Sequence, residues 1–525
     1  MSHNNKNIDP IDEIKDAIKN CKGDRLELKY QYEISCQVLE AFKEKGLSKN
    51  DLIKVQKKIP IVYPWNNSLQ YQLIRNNYNR RWTYFPMGII MCNKTEDVQN
   101  SVKFIKKYNL NFSIRSGGHC YLAFSLSTGI IIDLSQLNKI KVVCHSKSKK
   151  CATEIRSDKF VILGPGALLG NVIKTISSYN ISLPTGSCVN TGTAGLSLGA
   201  GISPSLIRLS GLMADHIISA KMVNSNGEVI DIDENENSDL LFAIKGAGGG
   251  NFGILTEFTF HPCWFKGAIV FNLRYDWSVF KKVFKMWQKF APFTDRNLSS
   301  EIDLFPPKFS TDETPPVQFK GQYEGSLSDL KKLIKPFIDL AKKTKRSTIY
   351  IKHVETFAEA GNFWGGTVQT YFENYSIFWQ NSLSDEALDV YDHYMKIAPG
   401  PLSSIEFNAM MGRVSDIKDN ETAFPYRKSK FWNQLQGKSI NPENFPEQQL
   451  WVRNLYNAIS IHAKKILDVV PSYINAPQKN LRDEYMKAYY STNSEKLIKI
   501  KNKYDPENFF HFPQSIPLPD ENSNY

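Results

Sequence analysis

The chain has 525 residues, 42% hydrophobic and 22% charged, a composition that supports a folded protein with a sizeable core and excludes disordered and fibrous classes. Its net charge of +12 comes from lysines scattered among acids, so nucleic-acid binding is not expected. No apolar run approaches the roughly 20 residues that cross a bilayer. The polar start, Met1 to Lys6 followed by Asp9, Asp12 and Glu13, has no apolar signal core, so the expectation is no membrane partner and cytoplasmic residence by default.

Residues 1–80 read as a polar helical extension. Ile34, Val38 and Phe42 form a four-residue stripe, Gly46 ends it, and Ser48 to Asp51 opens another helix. No chemistry is expected there. From 81 to 262 the pattern is that of an α+β domain. Ile89-Ile90-Met91 is a short strand, Thr95 is expected to cap a helix with Val98, Val102 and Ile105 on one face, and residues 112–114 form a second strand. This β-α-β unit ends in Arg115-Ser116-Gly117-Gly118-His119. Further strands are expected at 130–134 and 160–163, a helix at 167–179, and a hairpin around Asn226-Gly227 joining 217–223 to 229–232. After His261-Pro262 glycines thin out and seven of the nine tryptophans follow, marking a second domain over 263–475. Residues 476–525 form a turn-rich closing segment.

Eight cysteines without a C-x-x-C pair argue against zinc, and no metal site is expected. Cys21 with Cys36 and Cys144 with Cys151 remain open as cross-links, although a chain without a signal segment is normally kept reduced. The glycines are more informative, because 12 of the 30 lie between Gly186 and Gly253. Such clustering marks turns that need a left-handed residue or a ligand lying against main-chain N–H groups, phosphate being the commonest. Gly246 to Gly253 is not a Rossmann fingerprint, since residues 240–244 before it read as helix and no helix follows.

In order, Arg115 to His119, Gly186-Ser187-Cys188 with Gly192, Gly199-Ala200-Gly201 leading to Gly211-Leu212, Gly246 to Gly253, and the Tyr504 to Pro517 tail resemble the berberine bridge enzyme-like family of FAD-linked oxidases, over about residues 86–519. The resemblance implies an α+β, two-domain FAD-binding fold of the vanillyl-alcohol-oxidase (PCMH) type: a discontinuous FAD domain and an α/β substrate domain with an antiparallel sheet. It implies bicovalent FAD, with His119 on the flavin 8α-methyl and Cys188 on ring carbon 6. It places Arg115, Ser116, Gly117, Gly118, Tyr121, Gly186, Ser187, Thr191, Gly192, Gly195, Gly248, Gly249, Gly253, Ile254 and Asn508 around the cofactor. Thr191 falls where members of the family control access of dioxygen. The partners implied are a small-molecule substrate, a sugar or another alcohol, and dioxygen, reduced to hydrogen peroxide.

The pattern breaks at the base that would take the substrate's hydroxyl proton. The family's Tyr-x-Asn-Tyr reads Tyr473-Ile474-Asn475-Ala476 here, and Asn433 falls near a position that often holds glutamate or lysine. The expectation is that Tyr473, Glu406, Gln434 or Gln436 handles the substrate, with Asn433 able to orient it but not to take a proton, or that the chemistry needs no strong base. The alternative is a flavin-holding protein with little turnover and a structural or binding role.

Overall fold

The computed structural model describes residues 36–63, 69–144, 156–366 and 368–519. Strands β1 (Ile61–Val62), β2 (Gly88–Met91), β3 (Phe112–Arg115) and β4 (Ile130–Asp133) form a sheet in the order β1-β2-β4-β3. β4 runs parallel to both β2 and β3, so the expected β-α-β unit is present with β4 inserted between its strands. Its helix, Thr95–Tyr108, is closed by Asp97 rather than Thr95: the carboxylate accepts the N–H of Asn93 at 2.9 Å and of Lys94 at 3.2 Å. The leading segment is more than a helical extension. β1 pairs antiparallel with β2, and Phe42, Leu47 and Leu52 share a core with Ile90, Val98 and Val102.

A second, antiparallel sheet follows in the order β5-β6-β10-β8-β9. Its strands are β5 (Ile140–Cys144), β6 (Lys159–Leu163), β8 (Ile217–Val223), β9 (Val229–Ile232) and β10 (Ile254–Phe260), while β7 (Ile181–Ser182) pairs with β11 (Cys263–Trp264). The hairpin turns at Gly227, φ +74°, and the helix before the glycine run spans Ser238–Ala243. Cys21 and Cys151 lie outside the described residues, and with them both cross-links weighed from spacing.

The second domain is built on seven antiparallel strands: β12 (Ala268–Tyr275), β13 (Leu298–Leu304), β14 (Val317–Tyr323), β15 (Thr348–Val354), β16 (Tyr371–Trp379), β17 (Ser404–Ala409) and β18 (Phe431–Ser439), ordered β15-β12-β14-β13-β17-β18-β16. Successive side chains on a strand point to opposite faces, and the two faces differ sharply. One carries Phe271, Ile302, Phe319, Phe407 and Leu435, packed with Trp287, Tyr391 and Val452 from helices Phe280–Phe290, Asp385–Lys396 and Phe445–Ser460. The other carries Arg274, Gln318, Lys320, Glu301, Glu406, Asn408 and Gln434, which line a cavity.

The closing segment returns to the first domain. The buried Lys501 ammonium, on helix Ser494–Tyr504, donates to the Asn251 carbonyl at 2.8 Å, the Phe510 carbonyl at 2.6 Å and Asp505 Oδ2 at 2.6 Å. Asn251 Oδ1 in turn accepts the Ile516 N–H at 2.9 Å. Among the described residues no helix is long and apolar enough to cross a membrane.

Candidate active site

A cavity of about 750 Å³ lies between the glycine turns of the first domain and the polar face of the seven-stranded sheet, within the roughly 300–1,000 Å³ range of small-molecule sites. Its first wall comes from three loops. Ser116, Gly117, Gly118, His119 and Tyr121 follow β3; Gly186, Ser187, Cys188, Thr191, Gly192 and Gly195 follow β7; Gly248, Gly249, Gly253 and Ile254 lead into β10.

The first two loops touch through bare backbone. A Cβ on Gly117 would stand 2.3 Å from the Gly192 nitrogen and 2.9 Å from its Cα, atoms that a rotamer change cannot move. Gly117→Ala is therefore expected to cost about 1–3 kcal/mol, the price of overpacking, and to lower flavin content, which thermal unfolding and visible absorbance of the purified protein check.

His119 stacks on Tyr78, ring centroids 3.7 Å apart and planes 17° apart. Burial pushes its imidazole down to about 4, so the ring is neutral at physiological pH, and its Nε2 is buried without a hydrogen-bond partner. Cys188 is a free cysteine partly open to the cavity. Burial, followed by the Glu406 charge, pushes its thiol up to about 11.

Three residues assigned to the site by resemblance or alignment do not line it. Arg115 pairs with Asp133 on β4 at 2.6 Å, 12% and 0% exposed, and its guanidinium lies against Gly118, where a Cβ would meet Nη2 at 2.5 Å. It braces the turn through Asp133 and Gly118. Asn508 occupies a left-handed turn position, φ +50°, with its N–H donated to the Asp505 carbonyl at 3.0 Å; the tail's cavity wall is Phe510, His511 and Phe512. Asn433 points to the helix-covered face of β18, where its Oδ1 accepts from the Tyr391 hydroxyl at 2.7 Å and its Nδ2 donates to the Glu406 carbonyl at 3.0 Å. Its neighbours Trp432 and Gln434 face the cavity.

Tyr473 lines the cavity, but its hydroxyl oxygen accepts from the N–H groups of Gly201 and Ile202, both at 3.1 Å, and from Asn475 Nδ2 at 3.2 Å. Burial outweighs these donors and pushes the phenol up to about 12, so it keeps its proton at neutral pH. Ala476 lies on the same wall and brings no titratable group.

Glu406 does. It faces Asp303 on β13 and Gln434 on β18 in register, lines the cavity, and is partly exposed. Among the described residues its carboxylate oxygens have no hydrogen-bond partner. Burial raises its pKa, as does Asp303, against Lys438 and Lys320, which lower it. Its charge also raises the pKa values of Cys188, Tyr121 and Tyr78, so it is felt across the cavity by the loops of the first domain. Beyond it, Lys320 reaches Glu301 at 2.5 Å and Asp303 at 3.2 Å. Glu301, Lys320, Arg274, Gln318, Asn408 and Trp364 complete this wall, and none of the five polar residues is a site expectation from the sequence. The signal was present as polar residues at every second position of 299–303, 318–322 and 404–408, the alternation of a strand with one polar face.

The residues present fit an FAD. A buried imidazole nitrogen lacks a partner, a thiol opens on the same cavity, and a Cβ on Gly195 would meet no protein atom within 4 Å, leaving room against the backbone. Fold and cavity together define a two-domain protein whose chamber suits a flavin dinucleotide.

Residues 86–233 match the family model of an FAD binding domain, and residues 472–517 the model described as berberine and berberine like. The FAD-linked oxidoreductase YgaK of Bacillus subtilis (strain 168) is 31% identical over 455 residues, 85% of this chain and 94% of that one. The fold is shared with BBE-like 1 of Physcomitrella patens (TM-score 0.77, 24% identity, 88% of this chain and 98% of that one). It is shared also with the glucooligosaccharide oxidase of Acremonium strictum (TM-score 0.73, 22% identity, 87% and 97%), whose FAD is 6-S-cysteinyl and 8α-N1-histidyl. The chain belongs to the berberine bridge enzyme-like family of FAD-linked oxidases.

Proposed function

We propose that this protein is an oxidase with FAD attached through His119 and Cys188, acting on an alcohol carbon of a small organic molecule, a sugar first among candidates. FAD, when bound, supplies the two-electron acceptor that takes hydride from the substrate and is reoxidised by dioxygen, giving hydrogen peroxide. The chain supplies the rest. Ser116 to Gly118 and the glycines at 192, 195, 248, 249 and 253 surround the cofactor, and Trp432 and Trp364 offer aromatic faces to a substrate ring. Lys320, Gln318 and Gln434 offer donors to its hydroxyls, and the Glu406 carboxylate takes the hydroxyl proton.

The observation that carries this reading is the Glu406 carboxylate, open to the cavity and without a hydrogen-bond partner among the described residues, on the cavity that His119 and Cys188 also line. The position of the family's second tyrosine is lost to Ala476, but the Glu406 carboxylate lines the same cavity, so the reading of a flavin holder without turnover is not favoured. The oligosaccharide oxidases among the structural neighbours support sugars as the first panel to try.

Two measurements test this. Anaerobic addition of sugars, alcohols and phenols is expected to bleach the oxidised flavin band with at least one of them, and a panel that leaves the band untouched counts against turnover. On a denaturing gel, flavin fluorescence is expected to travel with the wild-type band and with either single variant, His119→Ala or Cys188→Ala, and to vanish from the double variant. Fluorescence retained by the double variant would refute these anchors.

A further inference from the structure

We propose that Tyr78 is a positioning residue for His119: its ring fixes the plane of the imidazole for attachment to the flavin. The inference rests on the reading above that His119 is an anchor. The two rings are 3.7 Å apart at their centroids with planes 17° from parallel. No side chain among the described residues hydrogen-bonds the imidazole, and its Nε2 is buried without a partner; besides a hydrogen bond to its own backbone, the stack is what holds the plane of the ring.

The stack is itself held in place. The Tyr78 N–H donates to the Gly118 carbonyl at 2.8 Å, Asn77 Nδ2 to the Cys120 carbonyl at 2.8 Å, and Asn79 Nδ2 to the Tyr121 carbonyl at 3.0 Å. The segment therefore binds the turn carbonyls immediately before His119 and the two after it. From behind, Phe372 meets the Tyr78 ring edge to face at 5.6 Å, and Asn79 Nδ2 also donates to the Phe372 carbonyl at 2.9 Å. A segment 41 residues upstream of His119 thus holds a ring flat against the imidazole.

Attachment breaks one C–H bond of the flavin ring methyl and the imidazole N–H, and forms the N–C bond. Two electrons and two protons pass to dioxygen, which leaves as hydrogen peroxide. Tyr78 exchanges none of these. It restricts the imidazole to one plane, and burial keeps the nucleophile uncharged. Orientation of this kind governs rates strongly, and a misplaced reacting group loses roughly ten- to a hundredfold.

The test uses the full chain in a Cys188→Ser background, where His119 is the one anchor left, and follows the fraction of flavin that stays with acid-precipitated protein as a function of time with added FAD. Tyr78→Phe, which keeps the ring, is expected to attach flavin like the parent. Tyr78→Leu is expected to hold yellow, acid-releasable FAD and to attach it at least tenfold more slowly. If Tyr78→Leu does not accumulate as folded protein, Tyr78→Met, flexible and without a ring plane, is measured in its place. Attachment by the ringless variant at the parent's rate overturns the proposal. Complete release of flavin from Cys188→Ser alone, with Tyr78 intact, overturns the anchor reading instead and takes the proposal with it.

Discussion

Glu406→Gln is expected to lower kcat by roughly 10²–10⁴-fold, the contribution typical of a positioned general base, while flavin content and visible spectrum stay as in the wild type. The amide is close in size and shape to the carboxylate, so the cavity keeps its form and loses only the proton acceptor. The groups facing this carboxylate are Asp303 from β13, Lys320 from β14, Gln434 and Lys438 from β18, and Cys188, Tyr121 and Tyr78 from the first domain. Burial, with Asp303, raises the pKa above the ordinary 4.5 despite the two lysines. The working form is the ionised one, so kcat/KM is expected to fall as pH drops through this raised pKa, with an acid limb displaced upward from the ordinary carboxylate range. Glu406→Gln should lose that limb together with most of the rate. A variant that keeps the wild-type kcat and acid limb would remove Glu406 from the chemistry.

Arg427→Met is expected to destabilise the fold by about 3–5 kcal/mol, because it leaves a buried carboxylate without its countercharge. Arg427 is fully buried; Nη1 reaches Asp215 Oδ2 and Nη2 reaches Oδ1, both at 2.8 Å, and Nη2 also reaches Thr422 Oγ1 at 2.6 Å. Asp215 Oδ2 additionally accepts the Leu212 N–H at 2.9 Å. The pair ties the first domain just after Gly211 to the segment running into β18. Burial by itself would raise the Asp215 carboxyl, but the Arg427 charge and hydrogen bonds outweigh it and hold the carboxyl below 3.8. A carboxylate lowered on folding stabilises above its unfolded pKa, and that contribution is lost as pH falls through the folded value. Asp215→Asn should therefore flatten the acid limb of the stability curve below about pH 4 as well as lowering the melting temperature at neutral pH. Thermal unfolding of both variants from pH 3 to 7 measures this; a melting temperature of Arg427→Met within a degree or two of the wild type would show that the pair adds little.

The glycine turns were legible in the sequence because their demand is local. Gly118 at φ +66° and Gly248 at +82° need an amino acid without Cβ, and the type of residue records that need. The hairpin at Gly227 was legible for the same reason. What escaped depends on register or on distance along the chain. Asn433 and Gln434 differ by one residue, and one residue in a strand is the difference between a core face and a cavity. For Arg115 the sequence leaves charge for the cofactor and an ion pair equally open, because the partner that decides, Asp133, stands on a neighbouring strand. Tyr78 carried no local signal, since its significance comes from a ring 41 residues away. The buried charges Glu301 and Lys320 were hidden among what looked like ordinary strand surface, because the alternation marks a polar face without saying whether water or a ligand covers it.

The Lys501 cluster has a consequence for the order of events during synthesis. One wall of the cavity is Phe510 to Phe512, and the lysine that joins this tail to the glycine run at Asn251 is translated some 250 residues after it. A ribosome that has finished the turns carrying His119 and Cys188 has still to make the segment that closes the cavity they line. The nascent chain therefore has no complete cavity until residues 501–512 have been made, so a ligand that needs every wall binds only after that segment has joined the fold.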